Sequence, residues 1–193
     1  MPRSNQITKA LAHGAVAGLI ATVPMTLFMF ACHKNLPASQ RYPLPPSLIT
    51  KRAFGRVPIP GRPAPMPNLA ATLATHFGFG AATGALFAAG PKELQRQYPL
   101  ATGIGYGLCV WAASYLGWVP AMQLMPPATR QPAARNIMMI AAHIVWGATL
   151  GFALTALSPR RRPCAPSSVL TARPDPYSSH DAGSHGHRFE HDR

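Results

Sequence analysis

Apolar residues in this chain gather into four long runs, roughly 10–31, 69–89, 100–125 and 137–157, none containing Lys, Arg, Asp or Glu. Crossing roughly 30 Å of hydrocarbon at about 1.5 Å per residue takes about 20 such residues. The pattern predicts an all-α membrane protein, a four-helix transmembrane bundle over residues 1–157. The polar tail that follows, 158–193, is rich in Ser, Pro and His. It has too little apolar surface to offset the entropy of ordering and is expected to be disordered. Arg3 and Lys9 precede the first run as in a signal peptide. Its length exceeds the roughly 7–15 apolar residues of a signal h-region, so a retained anchor is expected.

Polar positions concentrate between the runs. The first connection, 33–68, holds nine prolines and six basic residues and no acid. Prolines favour extended chain there. Within it, Ser47 is placed to cap a short helix over Leu48–Arg56. In that helix Leu48, Ile49, Ala53 and Phe54 would face lipid, and Lys51, Arg52 and Arg56 would reach anionic headgroups. An ordinary surface loop fits the same residues equally well. Pro24 and Pro120 should kink the first and third spans, each freeing a carbonyl one turn earlier.

Small residues recur inside every run at a spacing of four: Gly14/Gly18, Gly80/Gly84, Gly103/Gly107 and Gly147/Gly151. Apolar side chains gain nothing by leaving lipid for one another, so close backbone approach through glycine has to supply the attraction between helices. The pattern also hints at duplication. His76-x3-Gly80-x3-Gly84 matches His143-x3-Gly147-x3-Gly151, and Val23-Pro24 matches Val119-Pro120. A parallel duplication of a two-helix hairpin would produce both.

Residues four and eight apart share a helix face, so His76 and His143 should point with their glycines toward neighbouring helices. Both runs start from the first-loop side. Each imidazole therefore sits about 10 Å deep, at about 1.5 Å per residue, in the same leaflet. His33 closes the first span on that side and Gln123 the third, giving a candidate polar cluster of His33, His76, His143 and Gln123. Three roles fit it: structural bonds between helices, a proton or solute path, or ligation of haem or a transition metal. The last lacks the acidic partners that usually orient ligating imidazoles.

Composition narrows the field. Mean hydropathy is only +0.07, because the average mixes the runs with their polar connections. There are 18 Lys and Arg against 5 Asp and Glu, and four of those acids lie in the tail. Nucleic acid is not the expected partner, since no recognition motif accompanies the charge. The cations flank apolar spans, where anionic lipid headgroups attract them. Three cysteines, Cys32, Cys109 and Cys164, show no metal or redox spacing. No acid lies within a run, no Ser-His-Asp arrangement can be assembled, and Gly103-x-Gly105-x-Gly107 follows no strand, so an enzyme is not expected. The positive-inside count is tied at eight basic residues on each side. The Arg160–Arg162 cluster beside the last span tips the expectation toward cytoplasmic termini.

Two stretches carry a resemblance. Tyr42-Pro43-Leu44-Pro45-Pro46 and the series Pro126-Pro127, Arg135-Asn136 and His143-Ile144-Val145-Trp146 resemble segments of the YagU-like family of bacterial inner-membrane proteins. The resemblance implies a multi-pass bacterial plasma-membrane location and no catalytic residue or cofactor. The functional expectation is a small component for permeation, sensing or assembly, with room for a homo-oligomer. A haem- or metal-carrying redox subunit and a lipid-binding scaffold are the alternatives.

Overall fold

The computed structural model describes residues 3–35, 45–55 and 69–158. The predicted tail, Arg56 and most of the Pro-rich connection lie outside them. Seven α-helices are described: α1 Arg3–Asn35, α2 Pro45–Phe54, α3 Leu69–Ala88, α4 Lys92–Gln97, α5 Pro99–Ala112, α6 Val119–Ala121 and α7 Ala133–Leu157. A π-helical turn, Ala113–Trp118, joins α5 to α6, and a 3-10 turn, Ala128–Arg130, precedes α7. No strand occurs among the described residues.

Two of these helices, α1 and α7, are long and apolar enough to cross a membrane. The other two expected spans differ from that simple picture. α3 has 20 residues and no charge, but three glycines, three threonines and His76 dilute its apolar content. The third run is not one α-helix: α5 stops after 14 residues and the π turn follows. Pro120 offers no N–H and its ring crowds the carbonyl four residues back, so the turn before it widens. Gly117 leaves helical geometry altogether there, at φ −109° and ψ −105°. α1 continues as one helix through Pro24 and extends past both ends of the apolar run.

Two glycine seams hold the helices in pairs. Gly14 and Gly18 of α1 lie against Gly84 and Gly80 of α3, so closely that a Cβ on Gly84 would fall 2.7 Å from the Cα of Gly18. Gly103 and Gly107 of α5 meet Gly147 and Gly151 of α7 in the same antiparallel manner. A Cβ on Gly147 would stand 3.1 Å from the Cα of Ile104. Between the pairs, α1 packs on α7 through a core that includes Ala17, Ala21, Met25 and Met29 on one side. Met139, Ala142, Trp146 and Leu150 lie on the other. The lateral order is α3, α1, α7, α5.

The outer two helices, α3 and α5, have no such seam. They meet through long side chains: the Tyr106 hydroxyl donates to the Thr83 carbonyl at 2.8 Å. The Tyr106 ring also lies 5.0 Å from that of Phe87, and Phe79 lies 5.9 Å from Trp118. Three sides of the bundle are closed by backbone or core packing and the fourth by side chains.

α2 is a helix, as one of the two sequence readings has it, but it is placed differently. It begins at Pro45, so Ser47 lies inside the first turn and is not the cap. Leu48 and Ile49 pack against the core and do not face lipid. Thr50 is buried and shares a 2.8 Å hydrogen bond with Thr75 of α3. Arg52 donates to the carbonyl of Leu124, 2.7 Å away in the turn after α6. α2 therefore bars one end of the opening between α3 and the third-run helix.

Candidate functional site

Inside the open side lies a cavity of about 280 Å3. α1 contributes Thr22 and Met25 to its wall, α3 contributes Thr75, His76, Phe79, Gly80 and Thr83, and α7 contributes Met139, His143 and Trp146. Val110 of α5 and Ser114, Tyr115 and Trp118 of the π turn form the facing side, while Pro46, Ile49, Thr50 and Ala53 of α2 close an end. No Lys, Arg, Asp or Glu is among the described residues that line it.

The two intramembrane histidines of the sequence reading reach this one cavity from opposite helices. His143 is buried, with Nδ1 2.7 Å from the Met139 carbonyl oxygen one turn earlier on α7. A carbonyl only accepts, so Nδ1 carries the proton and Nε2 keeps its lone pair. The tie is within α7 and does not reach a carbonyl freed by Pro24 or Pro120. The Tyr115 ring stands edge-on to this imidazole, with centroids 6.0 Å apart. His76 is half-buried, and its Nε2 is shielded from solvent without a hydrogen-bond partner. A shielded ring nitrogen without a partner forfeits about 1–3 kcal/mol.

The other two members of the expected cluster do not join it. His33 is half-buried in the last turn of α1, and Gln123 is exposed; neither lines the cavity. Gln123 has a different task. Its φ of +54° places it in the left-handed region. Its N–H bonds to the Pro120 carbonyl at 2.8 Å and that of Leu124 to Val119 at 3.0 Å. This is the Schellman end of a helix, a position glycine usually takes.

Side chains missed by the sequence reading complete the wall. Thr22 donates to the Gly18 carbonyl at 2.8 Å and accepts from Trp146 Nε1 at 3.3 Å, and its Oγ1 sits against Gly80. One hydroxyl thus touches α1, α3 and α7. Its spacing of four from Gly18 was the available signal. Ser114 accepts a 3.2 Å bond from Trp118 Nε1, which leaves its own proton free to donate. Val119 is buried, four residues on from buried Tyr115, while Trp118 is half-exposed at the rim.

Of the headgroup candidates, Lys51 is exposed, Arg52 is held by Leu124 and Arg56 lies outside the described residues. Cys32 and Cys109 are free thiols. No three His, Cys, Asp or Glu side chains gather as a metal-binding set among the described residues.

A half-open bundle joined by two glycine seams around one histidine-lined cavity characterises residues that a single family profile spans. The profile of a family of unknown function, DUF6789, matches residues 8–164. The chain belongs to that family. No curated protein and no solved structure matches it. The matched segment contains α2 to α6, all but the first few residues of α1, and all of α7, so the cavity wall lies entirely within the family region.

Proposed function

We propose that this member of the family is a four-span protein of a bacterial plasma membrane, built as a duplicated hairpin, that binds a small molecule in its intramembrane cavity. The observation that carries the four-span reading is the outward face of the bundle. Each of the four long segments turns a large apolar residue outward: Leu27 on α1 is 64% exposed, Leu86 on α3 65%, Leu116 in the π turn 49% and Phe152 on α7 57%. On α1 they belong to a series, with Leu19, Ile20, Val23 and Phe30 also exposed, and hydrocarbon solvates so extended an apolar face better than water does. The charged residues Lys34, Lys92, Glu93, Arg96 and Arg130 keep to the ends of the long helices or the connections beyond them. The resemblance to YagU-like proteins supports the same location, and the Arg160–Arg162 cluster supports cytoplasmic termini.

The binding reading rests on His76 and His143, two polar groups placed where burial is costly unless a role offsets it. A neutral, mostly apolar cavity suits recognition of a small molecule better than passage of ions, whose charge nothing in its described wall would compensate.

Topology reporters inserted at Gln97 and at Gln131 test the architecture. They should report opposite sides of the membrane, with Gln97 on the cytoplasmic side. If α1 and α7 alone crossed, the two sites would lie on the same side and the four-span reading would fall.

A further inference from the structure

We propose that the cavity receives the ring of an isoprenoid quinone, which enters from the bilayer between α3 and α5. The inference rests on the membrane-embedded binding reading above and names its ligand.

The route follows from the unsealed side of the bundle. Phe79 and Trp118 both line the cavity and are also 40% and 38% exposed on the outer surface. These two rings, 5.9 Å apart, therefore stand between the cavity and the outer surface. Side-chain rotation in half-exposed residues takes picoseconds to nanoseconds and moves no backbone. A seam of glycines would have to part along its length; this side needs two rotamers.

Charge and size restrict the ligand. With no ionic group in the described wall, a phospholipid headgroup or a carboxylate has no counter-charge there. A volume of about 280 Å3 is at the small end of the roughly 300–1,000 Å3 usual for ligand sites. It suits one or two fused rings held inside. The wall is rich in flat groups, Tyr115, Trp118, Trp146 and the two imidazoles, against which a planar ring stacks.

The wall offers unused hydrogen-bonding capacity for such a ring. His76 Nε2 lacks a partner and donates in its Nε2–H tautomer, and the Ser114 hydroxyl has a proton to give, so carbonyl oxygens can be held from α3 and from the π turn. His143 Nε2 retains a lone pair, which accepts from a hydroxyl when the ring arrives reduced. The isoprenoid tail passes outward between Phe79 and Trp118 into hydrocarbon. A neutral, planar, lipid-soluble ring with oxygen at both ends is the chemistry that meets all of these conditions.

The test uses the full chain in nanodiscs, titrated with menadione and with decylubiquinone while tryptophan fluorescence is followed. One saturable site per chain is expected. Val110→Trp, which fills the cavity without touching a histidine, should weaken binding at least tenfold, and His76→Leu at least fivefold. Leu86→Ala, on the lipid face of α3, should leave it unchanged. Monodisperse elution of each variant separates lost binding from lost fold. The proposal is overturned if neither quinone saturates, or if both cavity variants bind like the wild type. It is equally overturned if haem or a sterol saturates the site in the quinone's place.

A parallel arm reads the cavity itself. In a background without native cysteines, Ser114→Cys should react with a small membrane-permeant maleimide. Reaction without quinone binding removes the ligand class and leaves the cavity reading standing; no reaction removes both.

Discussion

Thr22 shows how much a single hydroxyl can hold between packed helices. It accepts from Trp146 across the α1–α7 contact, donates within α1 and fills the space that Gly80 leaves. Replacing it by Val keeps the shape and removes the acceptor, stranding a buried indole N–H. Interhelical hydrogen bonds in membranes average about 0.6 kcal/mol and reach about 1.7, so Thr22→Val should cost about 1 kcal/mol. Unfolding with increasing SDS in detergent micelles measures it. In a Thr22→Val background, Trp146→Phe should add much less than in the wild type, because the bond it removes is already gone. An additive pair of costs would mean that the 3.3 Å contact contributes nothing. Spacing alone turns His76 and His143 inward, because each repeats the period of its glycines. Gln123 resists that reasoning: a polar residue at the end of an apolar run looks the same in sequence whether it faces a cavity or turns the chain.

Among elements, the glycine seams make a sharp internal comparison. Gly103, Gly105 and Gly107 sit on one helix two residues apart, yet a Cβ on Gly105 would meet nothing within 4 Å. Gly105→Ala should therefore stabilise by up to about 1 kcal/mol, the helix-propensity gain alone. Gly84→Ala, which drives a Cβ into Gly18 and Gly14, should cost about 1–3 kcal/mol as overpacking. The same SDS unfolding distinguishes them, and equal responses would remove the seam as a source of stability. The seams were legible because their residue type and period have one physical use in lipid. Two elements were not. The π turn depends on how the chain absorbs Pro120, a choice among kink, break and widened turn that local sequence leaves open. The position of α2 depends on Thr75 and Leu124, which lie 25 and 72 residues away from their partners.

For the molecule as a whole, charge-free length located the helices but could not say how many cross. α3 carries polar residues that line the cavity, Thr75, His76 and Thr83, and those same residues lower the apolar content by which a span is recognised, whereas the third run is interrupted after the 14 residues of α5. Site and span make opposite demands on one helix. The cavity was invisible for a related reason: the absence of a seam between α3 and α5 is a property of two helices together, and the seam glycines of each, Gly80 and Gly84 or Gly103 and Gly107, are engaged elsewhere.

The seams also set a direction of assembly. Each joins helices from one half of the chain, residues 3–88 or 99–157, so neither half waits on the other for its tightest contact. Co-expressed as two polypeptides divided at Gly90, the halves should insert separately and co-purify as a one-to-one pair. On the four-span reading, synthesis completes one matched hairpin before the next begins, so each helix meets its seam partner early.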